Sequence, residues 1–480
     1  SEQKFQGFLK MSAHEYIKKR IISWLAPLKH NYFPIYLVGG SVRDYLLGRT
    51  SIDFDLVCNN AKQVARELAT AWKTKMVPFE KQNKTACYRV VDCKNPGKFL
   101  DISPMRGGEI ENDLWERDFT INSLAIKVDT QGLGQIIDPL QGQEDLKQGL
   151  LRMNSEKSLD SDPLRILRAF RFSAQLGFSI EKQTQIALQS KSLLINEAAA
   201  ERILNELLLL LEAEDSYEVL VSMDQLGILE VLLPESKAMK GCEQNYYHHL
   251  DVWQHSLEVM RNCEAVISNL WEFFPEEGEI VSDYLKAESR LPLLKLAALL
   301  HDVGKPETRA FNTKKGRITF YGHAEQGTEI VLQMCERLKM SKKMTRFITL
   351  LIEEHMHVLA LSAPEVKNST KMKFLRKTGD DCLALFILAI ADLLASRGEA
   401  SCFYKHKEQI KWCKDMLHEY LTHIRQYLES QELLNGNDLL ELGLRPGPQL
   451  GRILKEIKKA RDDGGISTKE EALNWARKYT

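Results

Sequence analysis

The sequence predicts an α+β protein, in which an α/β head with a mixed, mainly antiparallel sheet precedes an all-helical remainder. Three observations predict it. Short β-rich runs alternate with helical runs up to about residue 150. Beyond that point apolar residues recur with a helical period, as in PLRILRAFRFSAQLG and AAAERILNELLLLLEAE. The length, 480 residues, suffices for several domains that each bury a core.

The elements are predicted in this order along the chain. An amphipathic helix ends before Pro34. Strands follow in IYLVGG, DFDLVCN, ACYRVVD, KFLDISP, FTINSLAIKV and QIIDPL, and a helix in AKQVARELATAWK. We divide the chain into the head (1–150), a helical neck (151–238), a histidine-rich helical body (239–404) and a helical tail (405–480).

The composition excludes several classes of protein. Hydrophobic residues make up 44% and charged residues 27%, and no apolar run approaches the roughly 20 residues that cross a bilayer. The nine cysteines contain no C-x-x-C pair, so we expect reduced thiols in a cytoplasmic protein without a membrane partner. The net charge of −1 does not itself indicate a nucleic-acid binder, although basic runs such as GRILKEIKKAR are present.

A glycine-rich turn joins the first predicted strand to a helix. The segment LVGGSVRD contains Gly39, Gly40 and Arg43. Glycines let the backbone approach an anion closely, and a helix N-terminus offers unpaired N–H groups. Arg43 adds a fixed positive charge. Because a Gly-Gly turn is usually only a turn, the segment by itself is a weak candidate for phosphate binding.

Two carboxylates follow in the sequence Asp53-Phe54-Asp55. Alternate residues of a strand point to the same face, so Asp53 and Asp55 are expected to project together. Such carboxylates repel each other unless a cation lies between them, and Mg²⁺ suits oxygen ligands and substrate phosphates. With the glycine turn they favour phosphoryl transfer, in which a 3′-hydroxyl attacks the α-phosphate of a nucleotide.

These motifs resemble the opening of the class II tRNA nucleotidyltransferase and bacterial poly(A) polymerase family. The later stretch ERDFTIN is similar to the family's Arg-Arg-Asp-Phe-Thr-Ile-Asn, although Glu116 replaces the first arginine. The resemblance covers the whole chain. It implies that Arg117, Asp118 and Asn122 bind the nucleotide, and that the protein extends the 3′ end of tRNA without a template. Asp101 in KFLDISP is a candidate third catalytic carboxylate, with a structural role as the alternative.

The stretch DPLRILRAFRF is similar to the family's nucleotide-selecting neck helix. Asp162 and Arg165 are three residues apart, so we expect them to be neighbours on one helix face. A carboxylate accepts and a guanidinium donates, so the pair offers an edge like a Watson–Crick partner. Arg168 and Arg171 extend this face towards the triphosphate. A surface-charged core helix explains the spacing equally well, and Ser161 stands where the family has Glu.

One connection in this chain is much shorter than in the CCA-adding members of the family. The resemblance implies a flexible loop in CCA-adding members that acts as a lever when the pocket switches from C to A. Here only nine residues, GGEIENDLW, separate Arg106 from Glu116, as is typical of the CC-adding members. We therefore predict that CC is added from CTP and that a separate A-adding enzyme completes the end. Full CCA addition with ATP, A addition and poly(A) synthesis are the alternatives within the family.

Histidines concentrate in the body. His255 lies in VWQHSLEVM, His301 and Asp302 in HDVGK, and Asp392 in AIADLLASRG. Imidazole and carboxylate ligands suit Mn, Fe, Ni, Co or Zn better than Mg²⁺. We therefore expect a transition metal at these residues.

This His…His-Asp…Asp series resembles the HD phosphohydrolase superfamily, and His323 and His355 match positions that add a second metal in some members. The resemblance implies hydrolysis of phosphate monoesters or 2′,3′-cyclic phosphates. An HD fold kept only as a scaffold is the alternative.

The tail segment LNGNDLLELGLRPGPQLGRIL resembles the part of these enzymes that holds tRNA. Arg445, Arg452 and Lys455 are candidate phosphate contacts, and a capped helix with a solvated basic face is the alternative. Two hypotheses from other classes stay open for the whole chain: a metal phosphohydrolase with a non-catalytic nucleotide- or RNA-binding head, and an RNA-binding protein without catalysis.

Overall fold

The computed structural model describes residues 13–29, 32–49, 53–80, 86–91, 99–244, 250–314, 316–396, 403–429 and 432–479. They form two compact units. The first unit consists of Ser1–Asp215 and Ser222–Leu232, and the second of Ser216–Val221 and Leu233–Thr480. The finer division into four regions is not tested by these two units and stays a prediction.

The first unit contains a seven-stranded sheet in the order β3-β4-β5-β2-β1-β6-β7. Its strands are β1 (Ile35–Val38), β2 (Asp53–Cys58), β3 (Met76–Glu80), β4 (Ala86–Val91), β5 (Phe99–Pro104), β6 (Ala125–Val128) and β7 (Leu133–Ile137). β2 and β5 are parallel, and the other neighbouring pairs are antiparallel. The predicted α+β class with a mixed, mainly antiparallel sheet is confirmed.

Helices surround this sheet and continue beyond it. They are α1 (Ala13–Leu25), α2 (Gly40–Leu46), α3 (Ala61–Ala71), α4 (Ile110–Trp115), α5 (Gly142–Gln148), α6 (Lys157–Ser161), α7 (Leu164–Leu176), α8 (Lys182–Ser190), α9 (Ala200–Leu211), α10 (Ser216–Gln225) and α11 (Ile228–Leu232). The short strands β8 (Leu150–Leu151) and β9 (Ser179–Ile180) pair in parallel. In α3 the apolar residues Val64, Ala65 and Leu68 are fully buried, because their spacing puts them on one face.

Two predicted elements differ from the observed ones. The predicted strand FTINSLAIKV begins only at Ala125, because Thr120–Asn122 form a 3₁₀ turn in which side chains compete for the backbone. There the Asp118 carboxylate accepts a hydrogen bond from the N–H of Phe119 at 2.9 Å. The strand β3, which contains Pro78, was not among the predicted strands. β3 is an edge strand, and edge strands are where a sheet tolerates proline.

The second unit is mainly helical. Its helices are α12 (Val252–Ser268), α13 (Leu270–Phe273), α14 (Gly278–Lys286), α15 (Arg290–Leu300), α16 (Lys305–Thr308), α17 (His323–Arg337), α18 (Lys342–Leu361), α19 (Asn368–Thr378), α20 (Cys382–Ala395), α21 (Phe403–Glu419), α22 (Arg425–Glu429), α23 (Gly436–Glu441), α24 (Pro448–Asp462) and α25 (Lys469–Ala476). A π-helical turn, Tyr420–Ile424, separates α21 from α22. The strands β10 (Ala310–Asn312) and β11 (Arg317–Thr319) form a hairpin.

The centre of this unit is a group of packed helices, α12, α15, α18 and α20. α20 has the sequence CLALFILAIADLLA and is buried along nearly its whole length. A helix that is apolar all round must be covered on every side. Among the helices that pack on α20, α12 brings His255 to 3.0 Å from Asp392 of α20.

The C-terminal helices α23, α24 and α25 have a small core of their own. Its buried members are Leu434, Leu439, Leu444, Ile453, Ile457, Ile466, Ala472 and Ala476. Nη1 and Nη2 of Arg376 in α19 donate to the two carboxylate oxygens of Asp462 in α24, at 2.6 and 2.5 Å. The tail is thereby fastened to α19 by an ion pair that is partly shielded from water.

Two compositional expectations concern cysteines and membranes. The seven cysteines in the described ranges are all free thiols, and Cys93 and Cys402 lie outside those ranges. Among the described helices, none combines the length and the apolar character needed to cross a bilayer.

Candidate functional site

Two of the predicted catalytic carboxylates lie on neighbouring strands. Asp55 of β2 and Asp101 of β5 are register partners in the parallel pair, and Asp101 is 8% exposed. Asp53 lies two residues earlier in β2, and its backbone pairs with Phe99. The side chain of Asp53 lies outside the described part of the chain. Carboxylates on adjacent strands at this spacing fit a divalent cation with oxygen ligands.

Arg89 already holds one of these carboxylates. Its Nε and Nη2 donate to the two oxygens of Asp101, both at 2.8 Å, because β4 pairs antiparallel with β5 at this position. The guanidinium also lies 3.5 Å from the ring centroid of Phe99. Arg89 was not among the predicted site residues. Only the strand register places it opposite Asp101.

The glycine turn lies beside the carboxylate strand. Gly39 has a φ of +67°, and a Cβ at this position would lie 2.8 Å from Nη1 of Arg117. A side chain here would strain the backbone, and it would also require the Arg117 guanidinium, which Asp113 holds, to shift. Ser41, in the first turn of α2, accepts a hydrogen bond from the N–H of Asp55 at 3.0 Å. The turn, the arginine and the carboxylate strand thus form one site.

Asp113, in the short connection between Arg106 and Glu116, orients the predicted nucleotide-binding arginine. It is 1% exposed and accepts hydrogen bonds from Nε and Nη2 of Arg117 at 3.0 and 2.8 Å, and from Nε of Arg106 at 3.0 Å. Burial acts to raise the pKa of the Asp113 carboxyl, but the charges of Arg117 and Arg106 outweigh it and lower that pKa. Glu116, where the family has arginine, lies 3.4 Å from Arg106.

A series of hydrogen bonds joins the glycine turn to the neck helix α7. Nη1 of Arg43 donates to Asn122 at 2.8 Å, and the amide of Asn122 donates to Asp118 at 3.1 Å. Nη1 of Arg168 donates to the other oxygen of Asp118, also at 3.1 Å. Burial acts to raise the pKa of Asp118, but Arg168 and Arg165 lower it overall. The structure thus gathers four predicted nucleotide-binding residues.

Glu206 of α9 balances the positive charges of Arg168 and Arg171, two arginines of α7. Arg171 forms an ion pair with it at 3.0 Å and Arg168 at 3.5 Å. Glu206 is 6% exposed, and it lay outside the predicted nucleotide-binding set. The 3.0 Å contact joins Nε of Arg171 to Oε2 of Glu206, so the charge of Arg171 is balanced within the protein, although the geometry of the contact is not that of a hydrogen bond.

The expectation that Asp162 and Arg165 share a helix face is wrong. α7 begins at Leu164, and Asp162 is extended, with φ −151° and ψ 93°. The reason is Pro163, which disfavours helical backbone in the residue before it. Arg165 donates to the carbonyl oxygens of Glu116 at 3.0 Å and of Arg117 at 3.3 Å.

Asp162 instead accepts a hydrogen bond from Arg202 at 3.0 Å and lies 3.7 Å from Arg168. The two residues of the predicted base-reading pair therefore have separate partners in this structure. Nε of Arg165 is buried and has no hydrogen-bond partner among the described residues.

The six histidine and aspartate residues predicted in the second unit come together around Asp302. One group consists of His255, His301 and Asp302, and a second of Asp302, His323 and His355. One carboxylate oxygen of Asp302 lies 3.1 Å from Nε2 of His301, and the other lies 3.5 Å from Nε2 of His323. Nε2 of His255 lies within hydrogen-bond distance of Oδ1 of Asp392, at 3.0 Å.

The histidines are oriented as metal ligands usually are. Nδ1 of His301, His323 and His355 faces the carbonyl oxygen of Ala298, Phe320 and Ile352 at 2.9, 2.8 and 2.6 Å, respectively. This contact favours the tautomer whose lone pair is on Nε2. Three Nε2 atoms therefore point towards Asp302. The donor set, imidazole and carboxylate, fits a transition metal.

Two buried polar atoms in the same place have close neighbours but no hydrogen bond of good geometry. Nε2 of His301 and Oδ2 of Asp302 make no hydrogen bond of good geometry within the described residues. Lys305, which is 7% exposed, places Nζ 2.6 Å from Oδ2 of Asp302. Burial and the charge of His301 lower the pKa of His355 to about 3, so its imidazole is neutral at pH 7. Burial acts to raise the pKa of Asp302, but His301 and Lys305 lower it.

Two of the three candidate tail residues lie in α24, and the third lies just before it. Arg445, Arg452 and Lys455 are exposed, and Arg445 precedes the helix. Exposure is compatible with contact to a phosphate backbone and equally with a solvated basic face.

Comparison with known proteins shows three family matches along the chain. Residues 35–152 match the Poly A polymerase head domain. Residues 177–240 match the family described as the probable RNA and SrmB-binding site of polymerase A. Residues 252–397 match the HD domain.

Curated relatives cover almost the full length. The A-adding tRNA nucleotidyltransferase of Deinococcus radiodurans is 31% identical, over 92% of this chain and 95% of the relative. The CC-adding tRNA nucleotidyltransferase of Thermus thermophilus is 34% identical, over 93% of this chain and 95% of the relative. In fold, the chain is similar to the CCA-adding enzyme of Thermotoga maritima, solved in complex with tRNA-CCA. The TM-score is 0.61 and the identity 23%, covering 93% of this chain and 91% of that one.

Proposed function

The chain belongs to the tRNA nucleotidyltransferase family, and on that premise we propose that it adds two C residues to the 3′ end of tRNA. Each addition consumes CTP. The 3′-oxygen of the tRNA bonds to the α-phosphorus, the bond from that phosphorus to the bridging oxygen breaks, and pyrophosphate leaves. The terminal A is then added by a separate enzyme.

The observation that supports CC addition is the connection between Arg106 and Glu116. Its nine residues hold the short helix α4, and Asp113 of that helix is bonded to both Arg106 and Arg117. A segment whose buried Asp113 is held by two arginines, and whose Ile110 and Leu114 are also buried, has little freedom to act as a lever. The family resemblance links that lever to the switch from C to A, so its replacement by a fixed helix favours an enzyme that stops after CC.

We assign the chemistry to the carboxylates and arginines of the first unit. Asp53, Asp55 and Asp101 would hold Mg²⁺, which supplies activation of the 3′-hydroxyl and neutralisation of the leaving pyrophosphate when bound. The backbone of the Gly39-Gly40 turn and Arg43 would bind the triphosphate. These groups orient the nucleotide for in-line attack.

A second set of residues would bind the rest of the nucleotide. Arg117, Asp118 and Asn122 would hold phosphate and ribose, and Arg168 and Arg171 would extend the charge towards the triphosphate. Glu206 and Asp113 hold these arginines in place before the nucleotide arrives. Such preorganisation reduces the entropy lost when the substrate is ordered.

Base selection is assigned to Asp162 and Arg165. Arg165 is fixed by the carbonyl oxygens of Glu116 and Arg117, and its Nε is left as a buried donor for an acceptor on the base. The amino group of cytosine would donate to the Asp162 carboxylate.

The test uses a tRNA transcript that lacks its CCA end. The enzyme is incubated with CTP and ATP, and the 3′ ends are sequenced, with Asp55→Asn and Asp53→Asn as inactive controls and pyrophosphate release as a second readout. Ends that stop at CC support the proposal. Efficient addition of A after CC contradicts it. Addition of A only to tRNA that already ends in CC would instead identify an A-adding enzyme, and long A tails a poly(A) polymerase.

Pyrophosphate release also separates the proposal from the other classes of protein. A phosphohydrolase with a non-catalytic head, or an RNA-binding protein without catalysis, would release none with CTP and tRNA. Release that is abolished in both aspartate variants excludes these two hypotheses.

For the second unit we propose a metal-dependent phosphohydrolase activity. It is supported by three histidines with Nδ1 on backbone carbonyls and Nε2 directed at Asp302. A Ni, Mn, Co, Fe or Zn ion held by His255, His301, Asp302 and Asp392 would supply an activated water, and His323 and His355 would hold a second ion.

This second activity is tested with p-nitrophenyl phosphate in the presence of Mn²⁺ or Ni²⁺, together with metal analysis of the purified protein. His301→Ala should lose hydrolysis and bound metal while CC addition persists. If the native protein hydrolyses no phosphoester with any of these metals, the HD fold is only a scaffold.

A further inference from the structure

A β-hairpin with exposed aromatic residues connects two residues of the HD centre. Its strands are β10 and β11, and it follows Lys305 and ends immediately before His323. We call the segment from Arg309 to Gly322 the hairpin segment. Its position in the chain places the base of the segment next to the candidate metal centre.

The two ends of the hairpin segment are fastened to that centre. Nδ1 of His323 is 2.8 Å from the carbonyl oxygen of Phe320, and Nζ of Lys305 is 5.5 Å from the Phe320 ring centroid. Phe320 is 8% exposed. A Cβ on Gly304 would lie 2.1 Å from the carbonyl oxygen of His323, so the two ends pack closely. The hairpin segment is therefore held by buried contacts at its base.

Two aromatic residues of the segment are exposed to solvent. Phe311 is 66% exposed and Tyr321 is 68% exposed. Single exposed apolar residues are common on protein surfaces. Here, however, two aromatic rings lie on one short segment, and one of them is two residues from a candidate metal ligand. Rings presented in this way are what unstacked bases bind.

The charge of the hairpin segment has the sign that a nucleic acid requires. The sequence RAFNTKKGRITFYG contains four lysine or arginine residues and no acidic residue, although the whole chain has a net charge of −1. Arg309 and Lys314 are exposed, and Arg309 lies 3.2 Å from Glu243. Cationic side chains and exposed rings on one segment offer partners for both the phosphates and the bases of a single strand.

We propose that the hairpin segment binds the unpaired 3′ end of an RNA strand and presents its terminal phosphate to the HD centre. Phe311 and Tyr321 stack on the bases, and Arg309 and Lys314 contact the phosphates between them. The inference rests on the proposed phosphohydrolase function and specifies its substrate. In the reaction, the oxygen of one water bonds to phosphorus and the bond from phosphorus to the ribose oxygen breaks. The ribose keeps its oxygen as a hydroxyl, and phosphate is released.

Steady-state hydrolysis measures this preference directly. A tetranucleotide RNA with a 3′-phosphate is compared with p-nitrophenyl phosphate, using the metal that activates the native protein. Because stacking on one aromatic side chain strengthens binding of a base about tenfold, the Phe311→Ala/Tyr321→Ala variant should raise KM for the RNA by about a hundredfold and leave p-nitrophenyl phosphate unaffected.

Two further variants serve as controls. Tyr321→Phe keeps the ring and should behave as the native protein, and Trp271→Ala removes an exposed ring of α13, outside the hairpin segment. An equal effect of the double variant on both substrates, or none on either, overturns the proposal.

Photo-crosslinking separates this inference from the proposed hydrolase. The same tetranucleotide carrying 5-iodouridine is irradiated with the native protein and with His301→Ala, and the crosslinked peptides are identified by mass spectrometry. Crosslinks at Phe311 or Tyr321 without any hydrolysis would refute the hydrolase and keep the RNA-binding surface. Hydrolysis without crosslinks in the hairpin segment would keep the hydrolase and refute the surface.

Discussion

At the scale of single residues, the site of the first unit depends on charged pairs that are made before any substrate binds. Asp101 has Arg89, and Arg117 has Asp113. Each pair fixes the direction of a group that the proposed reaction uses. Paired groups of this kind keep their geometry, but the partner also competes with the ligand that arrives later.

The first prediction concerns this competition at Asp101. Arg89→Gln removes a cation beside the carboxylates, so Mn²⁺ should bind to the nucleotide-free protein roughly 3- to 10-fold more tightly, which corresponds to about 1 kcal/mol. Isothermal titration calorimetry measures the binding constant. Arg66→Gln, which removes an exposed arginine from α3 of the same unit, should change nothing. Unchanged or weaker binding in Arg89→Gln would show that Asp101 is not part of the cation site.

The second prediction concerns Asp113, whose pKa is lowered by Arg117 and Arg106. Around and below the ordinary pKa of 3.8, the unfolded chain therefore binds more protons at Asp113 than the folded protein does. The contribution of the Asp113 carboxylate to stability is complete above that pKa and is lost as the pH falls below it. Asp113→Asn should lower the free energy of unfolding at pH 7 by about 3 kcal/mol.

Urea unfolding at a series of pH values checks this expectation. The difference between the native protein and Asp113→Asn should shrink as the pH falls below about 4. A difference that is constant over the whole pH range would mean that the charge of Asp113 is not what stabilises the site. In the same variant KM for CTP should rise, because Arg117 loses its orienting partner.

At the scale of elements, the short connection after Arg106 illustrates how backbone conformation limits a site. Gly107 has a φ of +66°, and a Cβ there would lie 2.8 Å from Cβ of Asn112. Gly108 has a φ of +77° but no atom near the position of its Cβ. Within one turn, Gly108 is therefore required only for its backbone conformation, whereas Gly107 is required for its conformation and for lack of space.

The third prediction uses this difference. Gly108→Ala should lower the free energy of unfolding by about 1 kcal/mol, because only the left-handed backbone is strained. Gly107→Ala should cost about 2 to 3 kcal/mol, because a clash with Asn112 is added. Thermal and urea unfolding of the two variants provide the comparison. Equal losses would indicate that the start of α4 relaxes without resistance.

At the scale of the whole molecule, the second unit contains a buried ion pair that connects several of its helices. In the second unit Lys295, 2% exposed, donates to the Glu264 carboxylate at 2.7 Å. The same carboxylate accepts from the backbone N–H groups of Ser216 and Tyr217 at the start of α10. One buried carboxylate thus joins α12, α15 and α10.

The fourth prediction follows from that arrangement. Lys295→Met leaves Glu264 buried without its cation, and the free energy of unfolding of the second unit should fall by about 3 to 5 kcal/mol. Hydrogen exchange of peptides from α12 and α15 measures the loss. The double variant Lys295→Met/Glu264→Gln removes both charges and should recover part of it. No recovery would mean that the lysine acts through packing alone.

The fifth prediction concerns the tail and its three exposed cations. If Arg445, Arg452 and Lys455 contact phosphates, replacing all three by alanine should reduce the slope of log affinity against log salt by about 2 to 3 for tRNA binding. Filter binding at several salt concentrations gives the slope. Lys342→Ala, an exposed lysine of α18, serves as the control. A slope that does not change would identify the basic face of α24 as a solvated surface.

Much of this protein follows from local patterns in its sequence. The α+β class, the strand–turn–helix of Gly39 and Gly40, and the histidine and aspartate residues around Asp302 can all be predicted, because helical and strand periodicity and ligand chemistry are properties of short segments. The family is predictable too, since its motifs occur in a fixed order.

What the tertiary structure alone decided are the partners of these residues. Arg89 reaches Asp101 only through the pairing of β4 with β5, and Glu206 meets Arg171 only because α9 packs on α7. The local rule failed at Asp162, because the following proline keeps that residue extended and outside the helix that begins at Leu164. Contacts between residues far apart in the chain depend on strand register and helix packing, and neither is encoded in the spacing of a single motif.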